Sequence, residues 1–353
     1  MSNKLFDFCI GNPPYQDMTL GKNKSYAPPV YHQFMSSAYE IANKVELVHP
    51  ARFLFNAGST PKSWNQEMLN DEHFKVLHYE ENSSSIFPNT SIKGGIAITY
   101  RDSNKVLGPI KVFSVYPEVI SICNKACGVN SLCDIIIASE SYKFSEEFHS
   151  INPDIRYHDG CDPDECLSKG HDYDLKSSVF KKLKNKIFFE EIPSDNHSYI
   201  PIWGTINAVR CSLFMRQDFL NPAENFTKYK VLLPAANGSG KFGEVLSQPF
   251  VAEPYVAHTQ SFISIGSFES QEEAIACLKY IKTKFARCML STTKVTQSNN
   301  KASWINVPLQ DFTVESDIDW SKTISEIDSQ LFQKYGLNQD EINFIETSVL
   351  EME

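Results

Sequence analysis

Four consecutive residues near the start of the chain, Asn12-Pro13-Pro14-Tyr15, have the types needed to handle an amine on a flat ring. The lone pair of an exocyclic amine is delocalised into its ring, so the amine is a poor nucleophile. Two oxygens that accept its hydrogens would draw the lone pair out, and the Asn12 side chain and the Pro13 backbone carbonyl can supply them. Consecutive prolines fix φ and favour an extended preceding residue, so these acceptors are held before a substrate arrives. Tyr15 offers a ring on which a flipped base can stack.

The elements that must position this loop are a short strand and the sheet around it. The apolar run from Phe6 to Ile10 predicts a buried strand, and Gly11 ends it. Open α/β sheets bind ligands at the carboxyl ends of their strands, which is where the loop then lies. Alternating elements follow, and we predict a helix over 30–44, a strand over 45–48, a helix over 60–69 and strands over 74–77 and 94–101.

Asn-Pro-Pro-Tyr after an apolar strand resembles the catalytic loop of amino methyltransferases, and residues 5–102 resemble the adenine-specific DNA branch. The resemblance implies S-adenosylmethionine as methyl donor. It also implies that Phe87, in Ser85-Ile86-Phe87-Pro88, packs against a flipped adenine, where the alternative is an anchor for a surface loop. The implied catalytic residues are therefore Asn12, Pro13, Pro14, Tyr15 and Phe87.

The fold implied by this resemblance is α/β: the second half of a Rossmann-like methyltransferase sheet in residues 1–105, followed by an α+β target-recognition domain in 106–353. The family's donor-binding half is not found before Phe6, so we expect a longer enzyme or a companion subunit, an open apolar strand edge, and no activity of this chain alone. The only downstream candidate for a donor-binding turn is the glycine-rich stretch 235–243. Pro234 and Pro249 make a flexible loop the preferred interpretation there.

The net charge of −10 argues against non-specific nucleic-acid binding by the whole surface, so a DNA-binding interpretation requires a local basic region. The sequence shows no signal peptide, and no apolar run approaches the length of a membrane span. Nine cysteines without regular spacing indicate reduced thiols, and together these features predict a cytoplasmic protein that does not enter membranes.

The stretch 158–174 brings two histidines and two cysteines together among six carboxylates. His158, Cys161, Cys166 and His171 could form a zinc site, but no close pair of cysteines is present. We therefore predict an exposed acidic loop there and no metal in the protein.

From about residue 176, short apolar runs separated by glycine and proline predict a β-rich module. A helix is predicted from Gln271 to Leu290, with Ser270 as its N-cap and Glu273 completing a capping box. Residues 274–310 contain no acidic side chain. They therefore form the local basic region that an acidic protein needs in order to bind DNA. The alternative is a solvated basic helix face. The DNA-binding residues predicted here are Lys279, Lys282, Lys284, Arg287, Lys294 and Lys301, together with Arg210.

Residues 259–268, 277–287 and 325–346 also resemble the target-recognition domain of type IIG restriction-modification methyltransferases. The last of these stretches predicts two helices with a turn at Gly336. The resemblance implies double-stranded DNA as partner. Three functions stay open: part of an adenine-specific DNA methyltransferase of a restriction-modification system, a DNA-recognition subunit without catalysis, or an amino methyltransferase acting on RNA or on a protein glutamine. The roughly 250 residues after the sheet favour the first over the third.

Overall fold

A computed structural model of the chain describes residues 4–17, 27–128, 130–155, 166–167 and 170–352. Contacts group the chain into two compact units, Met1–Cys123 and Asn124–Glu353. Both units contain helices and strands, so the predicted α/β class is confirmed at this level. Each unit is described by itself.

The described part of the first unit contains a four-stranded sheet and three α-helices. In chain order its elements are β1 (Phe6–Gly11), α1 (Tyr31–Ile41), β2 (Ala42–Pro50), α2 (Lys62–Asn70), β3 (Phe74–Glu80), β4 (Ile96–Asp102) and α3 (Pro117–Ala126), whose last turn falls in the second unit. The strand order is β1-β2-β4-β3, in which β1 is parallel to β2 and β4 is antiparallel to both of its neighbours.

Side-chain periodicity explains which faces are buried. On α1, Tyr31, Met35 and Ala38 are buried at helical spacing. On β2, Val45 and Leu47 are buried at the alternating spacing of a strand and join the same core as α1. The predicted helices and strands of this unit are therefore confirmed, with their ends shifted by a few residues.

The first strand departs from the expectation of burial. Phe6, Phe8 and Ile10 share one face of β1 and are 55%, 64% and 79% exposed. No other strand of the described residues pairs with the outer edge of β1. The prediction of a buried strand is wrong because neither this face nor this edge is covered, and the open apolar edge that we expected is present.

We expect this edge to make the isolated chain self-associate, because an uncovered apolar strand offers unpaired backbone groups to another strand. Replacing Ile10 by Lys places a charge on the exposed face and should raise the concentration at which the chain associates. Sedimentation velocity over a concentration series measures this. The control is Val314→Lys, which adds the same charge at a residue that is 97% exposed in the second unit. Equal behaviour of the two variants would contradict a role for the β1 edge.

The second unit is richer in strands, as the sequence predicts. Its elements are β5 (Ile136–Ile137), β6 (Lys143–Phe144), α4 (Glu146–Ile151), α5 (Ser177–Lys182), β7 (Tyr199–Ile206), β8 (Val209–Arg216), β9 (Leu220–Asn221), β10 (Tyr229–Pro234), β11 (Phe250–Ala252), β12 (Ala257–His258), β13 (Phe262–Phe268), α6 (Gln271–Lys282), α7 (Lys284–Ser291), α8 (Ile324–Lys334) and α9 (Gln339–Ser348). The strands form sheets in the orders β11-β10-β13-β5, β12-β7-β8 and β6-β9.

The helix predicted over 271–290 is two helices, α6 and α7, which meet at Thr283. The Thr283 hydroxyl donates to the Tyr280 carbonyl at 2.7 Å and accepts from the Ala286 amide at 3.1 Å. The buried Asp328 carboxylate accepts from the Lys284 and Phe285 amides, each at 2.9 Å. Four polar contacts therefore satisfy the chain at the break, and one of the two residues responsible comes from α8.

We predict that Thr283→Val destabilises the protein by about 0.5–2 kcal/mol, because it removes the N-cap of α7 while nearly preserving volume. Denaturant unfolding followed by circular dichroism measures the change. Thr347→Val is the matched control, since its hydroxyl donates only to carbonyls within the exposed face of α9. If both variants lose the same small amount, the break at residue 283 has another cause.

No helix in the described part of the chain is long and apolar enough to cross a membrane. Among the described residues, seven cysteines carry free thiols, whereas Cys166 is disulfide-bonded, so the prediction of reduced thiols is wrong at that residue. The turn predicted at Gly336 is confirmed by a φ of 58° between α8 and α9.

Candidate functional site

The Asn-Pro-Pro-Tyr loop leaves the carboxyl end of β1 and returns toward α1. Residues 12–15 have no regular secondary structure. The Val30 amide donates to the Tyr15 carbonyl at 3.1 Å, and the Asp17 amide donates to the Pro28 carbonyl at 2.9 Å. These bonds fix the backbone of Tyr15 between the first strand and the first helix. Residues 18–26 of the same connection lie outside the described residues.

The Tyr15 side chain is half-buried against the core of the first unit. Its hydroxyl is buried and has no hydrogen-bond partner among the residues that the structure describes. Burial raises the pKa of Tyr15, and the Asn12 side chain close by offsets part of this rise without completing a hydrogen bond. A buried hydroxyl without a partner costs free energy, so its position indicates a site that a ligand can complete.

The two predicted acceptors belong to residues that are not fully buried. Asn12 is exposed, and Pro13 is half-buried. Neither the Asn12 side-chain oxygen nor the Pro13 carbonyl has a hydrogen-bond donor among the described residues of this unit.

A cavity of about 390 Å³ lies directly beside Tyr15. This volume is within the range of small-molecule sites, about 300–1,000 Å³. Three parts of the first unit form its wall, namely the loop before α1, the end of β2 with the turn that follows, and the segment before β4. The lining residues are Tyr15, Gln16, Ala27, Pro29, Tyr31, Pro50, Arg52, Gly58, Ser59, Ser91, Ile92 and Lys93. Among them Arg52 and Lys93 are charged, and no carboxylate is present.

Behind this wall lies the fully buried His49. Its ring stacks on Tyr31 at 5.8 Å between centroids with 6° between the planes. Nδ1 faces the Pro50 carbonyl at 3.1 Å, so it carries the hydrogen and donates, while Nε2 accepts from the Thr99 hydroxyl at 2.7 Å. Burial lowers the pKa of His49 to about 4. The neutral ring thus fixes two residues that line the cavity, Tyr31 and Pro50.

The pKa of His49 predicts acid sensitivity. Between pH 6.5 and 4 the unfolded chain binds a proton at this histidine and the folded chain does not, so stability falls as pH falls through this window. The loss approaches about 3 kcal/mol at pH 4. NMR titration of the His49 ring should show a midpoint near 4. A His49 midpoint near 6.5 would contradict a neutral, fully buried ring.

Phe87 does not line the cavity. It is half-buried, and its carbonyl accepts hydrogen bonds from the amide and the hydroxyl of Thr90, at 3.2 and 2.7 Å. Phe87 therefore supports the turn that leads into Ser91, Ile92 and Lys93. Its predicted contact with a flipped base stays a prediction.

Sequence reasoning missed the residues that close the cavity from the β2 side, above all Arg52. A signal was present, because Arg52 follows β2 in the run His49-Pro50-Ala51-Arg52. The loop after β2 must lie beside the loop after β1 if the two strands are parallel neighbours. That pairing was not evident from either segment alone.

In the second unit, two of the predicted DNA-binding residues are interior. Arg287 and Lys294 are 1% and 4% exposed. Arg287 donates to the Leu350 carbonyl at 2.6 Å, and Lys294 pairs with Glu244 and donates to the Asn237 carbonyl at 2.8 Å. The expectation that these two side chains face DNA is corrected, because their charges are satisfied inside the unit.

The other predicted cations are less enclosed. Lys279 donates to the carbonyls of Trp320 and Lys322, Lys284 pairs with Glu346 and Glu351, and Arg210 donates to the carbonyls of Ser247 and Gln248. Lys282 is half-buried, and Lys301 is exposed. Whether any of them binds DNA stays a prediction, and Lys301 has the most accessible charge.

The glycine-rich loop at 235–243 does not fit a donor-binding turn. The Glu244 carboxylate already accepts from the Ser239 amide at 2.8 Å and from the Gly240 amide at 3.1 Å. No group of three or more possible metal-ligating side chains occurs in the described residues. Of the stretch considered for zinc, His158 and Cys161 lie outside them.

Comparison with known proteins identifies the segment that carries the loop and the cavity. Residues 1–87 match the model of the Eco57I restriction-modification methylase family. The resemblance drawn from the Asn-Pro-Pro-Tyr loop is confirmed for this segment. It contains β1, α1, β2, α2 and β3, and so includes most of the cavity wall.

One curated relative is an uncharacterized adenine-specific methylase of Mycoplasma pneumoniae, 28% identical over 93 residues. The match covers 26% of this chain and 22% of that protein, so the chain spans about a fifth of the relative's length. Two solved restriction-modification enzymes align more loosely. The type IIG restriction endonuclease BpuSI is 12% identical over 85% of this chain and 44% of its own, with a TM-score of 0.28. The type IIL enzyme MmeI, solved with DNA, is 9% identical over 97% and 56%, with a TM-score of 0.37. Scores of this size do not bear on the arrangement of this chain.

Proposed function

We propose that the first unit is the part of an adenine-specific DNA methyltransferase, within a restriction-modification system, that holds the target adenine. The observation that carries this proposal is the cavity of about 390 Å³ beside Tyr15. Tyr15 is the loop residue that lines it, and Asn12 and Pro13 precede Tyr15 in the chain without lining the cavity themselves. The match of residues 1–87 to a restriction-modification methylase family supports it. In the proposal, the sheet order β1-β2-β4-β3 is the second half of a Rossmann-like methyltransferase sheet.

The chemistry proposed for this chain is activation of an amine. Asn12 Oδ1 and the Pro13 carbonyl accept the two hydrogens of the exocyclic amine and draw its lone pair out of conjugation. Pro14 fixes the loop, since proline limits φ to a narrow range. The Tyr15 ring packs beside the base. Phe87 takes the other side in this proposal, which requires it to move toward the cavity when the base enters.

S-adenosylmethionine is the proposed methyl donor, but the described residues of this chain do not form a site that fits it. In the glycine-rich loop, the amides of Ser239 and Gly240 already donate to the Glu244 carboxylate. We therefore propose a companion half, on the same or another polypeptide, that binds the donor and docks on the open edge of β1. The exposed row Phe6, Phe8 and Ile10 is the surface that it would cover.

For the second unit we propose recognition of double-stranded DNA. In this proposal the first unit acts on the base and the second recognises the target. The sequence predicts a boundary between residues 105 and 106, and the contacts divide the chain after Cys123. Lys301 is the cation best placed to approach phosphates, because its side chain is exposed. A net charge of −10 requires such contacts to be local.

The test supplies the chain with the donor-binding half of an Eco57I-type methylase and measures 6-methyladenine by mass spectrometry. Asn12→Ala should lower methylation of duplex DNA by roughly 100-fold, because one of two oriented polar groups at the amine is lost. Asn104→Ala is the matched control, an exposed asparagine in the turn after β4.

The remaining outcomes separate the alternatives. Methylation that persists in Asn12→Ala would refute the proposed role of Asn12. Sequence-specific DNA binding without methylation by the complemented wild-type chain would select the recognition subunit without catalysis. Preferred methylation of RNA or of a protein glutamine would select the third function.

A further inference from the structure

Arg52 begins a 3₁₀ turn, Arg52–Phe55, directly after β2 and lines the cavity beside Tyr15. Its side chain runs between Gly58 and Gly94, whose φ angles are +84° and +83°. A Cβ atom on Gly58 would lie 3.3 Å from the Arg52 Cβ, and one on Gly94 would collide with the Arg52 Cγ. Two glycines from different parts of the chain therefore leave room for this side chain and fix its direction.

The guanidinium at the end of this side chain has no hydrogen bond or ion pair with any described residue, and its Nε is buried. The other arginines that the structure describes are all paired. Arg101 and Arg216 contact carboxylates, and Arg210 and Arg287 contact backbone carbonyls. Removing a guanidinium partly from water without pairing it costs free energy. The position of Arg52 therefore indicates a ligand that pairs with it when bound.

The surroundings of Arg52 select the charge of that partner. Lys93 lines the same cavity, and no described lining residue is acidic. Lys62 lies near enough that Arg52, after burial itself, lowers the pKa of the Lys62 ammonium. Tyr31 also lines this cavity, and burial raises the pKa of Tyr31 to about 12, so its hydroxyl stays neutral. Cationic and neutral donors converge on this side of the cavity, which suits an anion.

We propose that Arg52 and Lys93 form a phosphate subsite that holds the phosphate of the nucleotide whose base enters beside Tyr15. This inference rests on the proposed function, because it places a base and its own phosphate in one cavity. Arginine presents a planar fork that matches phosphate oxygens, and a buried guanidinium pairs with them more strongly than a hydrated one does. The subsite binds the phosphate of the flipped nucleotide whatever the neighbouring bases are, while the Asn-Pro-Pro-Tyr loop contacts the base.

The experiment uses the full chain and three probes: adenosine 5′-monophosphate, adenosine and inorganic phosphate. Binding is followed by calorimetry and by NMR shifts of the cavity residues. We expect adenosine 5′-monophosphate to bind at least about tenfold more tightly than adenosine, because it adds charge-assisted hydrogen bonds. Arg52→Gln should remove this advantage, and Arg52→Lys should retain part of it. Lys105→Gln, at an exposed lysine of the same unit, is the control for net charge, and thermal unfolding verifies that each variant folds.

A Gly94→Ala variant tests the positioning of Arg52 separately. The added methyl group displaces the Arg52 stem, so the variant should lose the phosphate advantage although the guanidinium is still present. If Arg52→Gln failed to fold, Arg52→Lys and Lys93→Gln would provide the same readout, because each weakens the subsite and retains one of its cations.

The outcomes separate this inference from the proposed function. Equal affinity for adenosine and its monophosphate, with adenosine binding lost in Tyr15→Ala, overturns the phosphate subsite and leaves the base pocket intact. Arg52-dependent binding of inorganic phosphate as tight as that of the monophosphate supports the subsite and refutes the base pocket. Absence of binding by all three probes overturns both.

Discussion

The parallel pairing of β1 with β2 determines where the candidate site lies. The register joins Phe8 to Lys44 and Gly11 to Leu47, so both strands end at the same edge of the sheet. The loop after β1 carries Asn12 to Tyr15, and the loop after β2 carries Pro50 and Arg52. Parallel pairing is what brings these two loops together, since an antiparallel partner would send the second loop to the far edge. The cavity is a consequence of that geometry.

The same pairing leaves apolar surface of the first unit exposed to solvent. A parallel sheet is normally covered on both faces, whereas β1 exposes three large apolar side chains and one unpaired edge. The opposite face of the sheet packs in the core, where the fully buried neutral His49 contacts the rings of Tyr31 and Phe53. The unit is therefore well packed behind the cavity and uncovered at the outer edge of β1. This is consistent with the companion half that we propose.

The parts of this structure that could be predicted are those that local chemistry determines. The loop follows from four adjacent residues, α1 and β2 follow from periodicity, and the N-cap of α6 follows from Ser270. Glu273 does not complete the predicted capping box, because its carboxylate accepts from the Glu269 amide. The break at Thr283 could not be predicted, because Asp328 acts on it from 44 residues away. Nor could the burial of Arg287 and Lys294, which read as surface cations and instead satisfy carbonyls and a carboxylate from distant segments. The position of the Arg52 side chain in the cavity wall depends on Gly58 and Gly94, which are 36 residues apart. No local pattern in the sequence links these two glycines.

The central claim is that a base sits beside Tyr15 at the carboxyl ends of β1 and β2. The most direct measurement is the set of nuclear Overhauser effects between adenosine ring protons and the assigned chain. The account predicts contacts from the adenine H2 and H8 protons to the Tyr15 ring and to the Pro50 ring. Contacts confined to residues outside this cavity, with none to Tyr15, would contradict it.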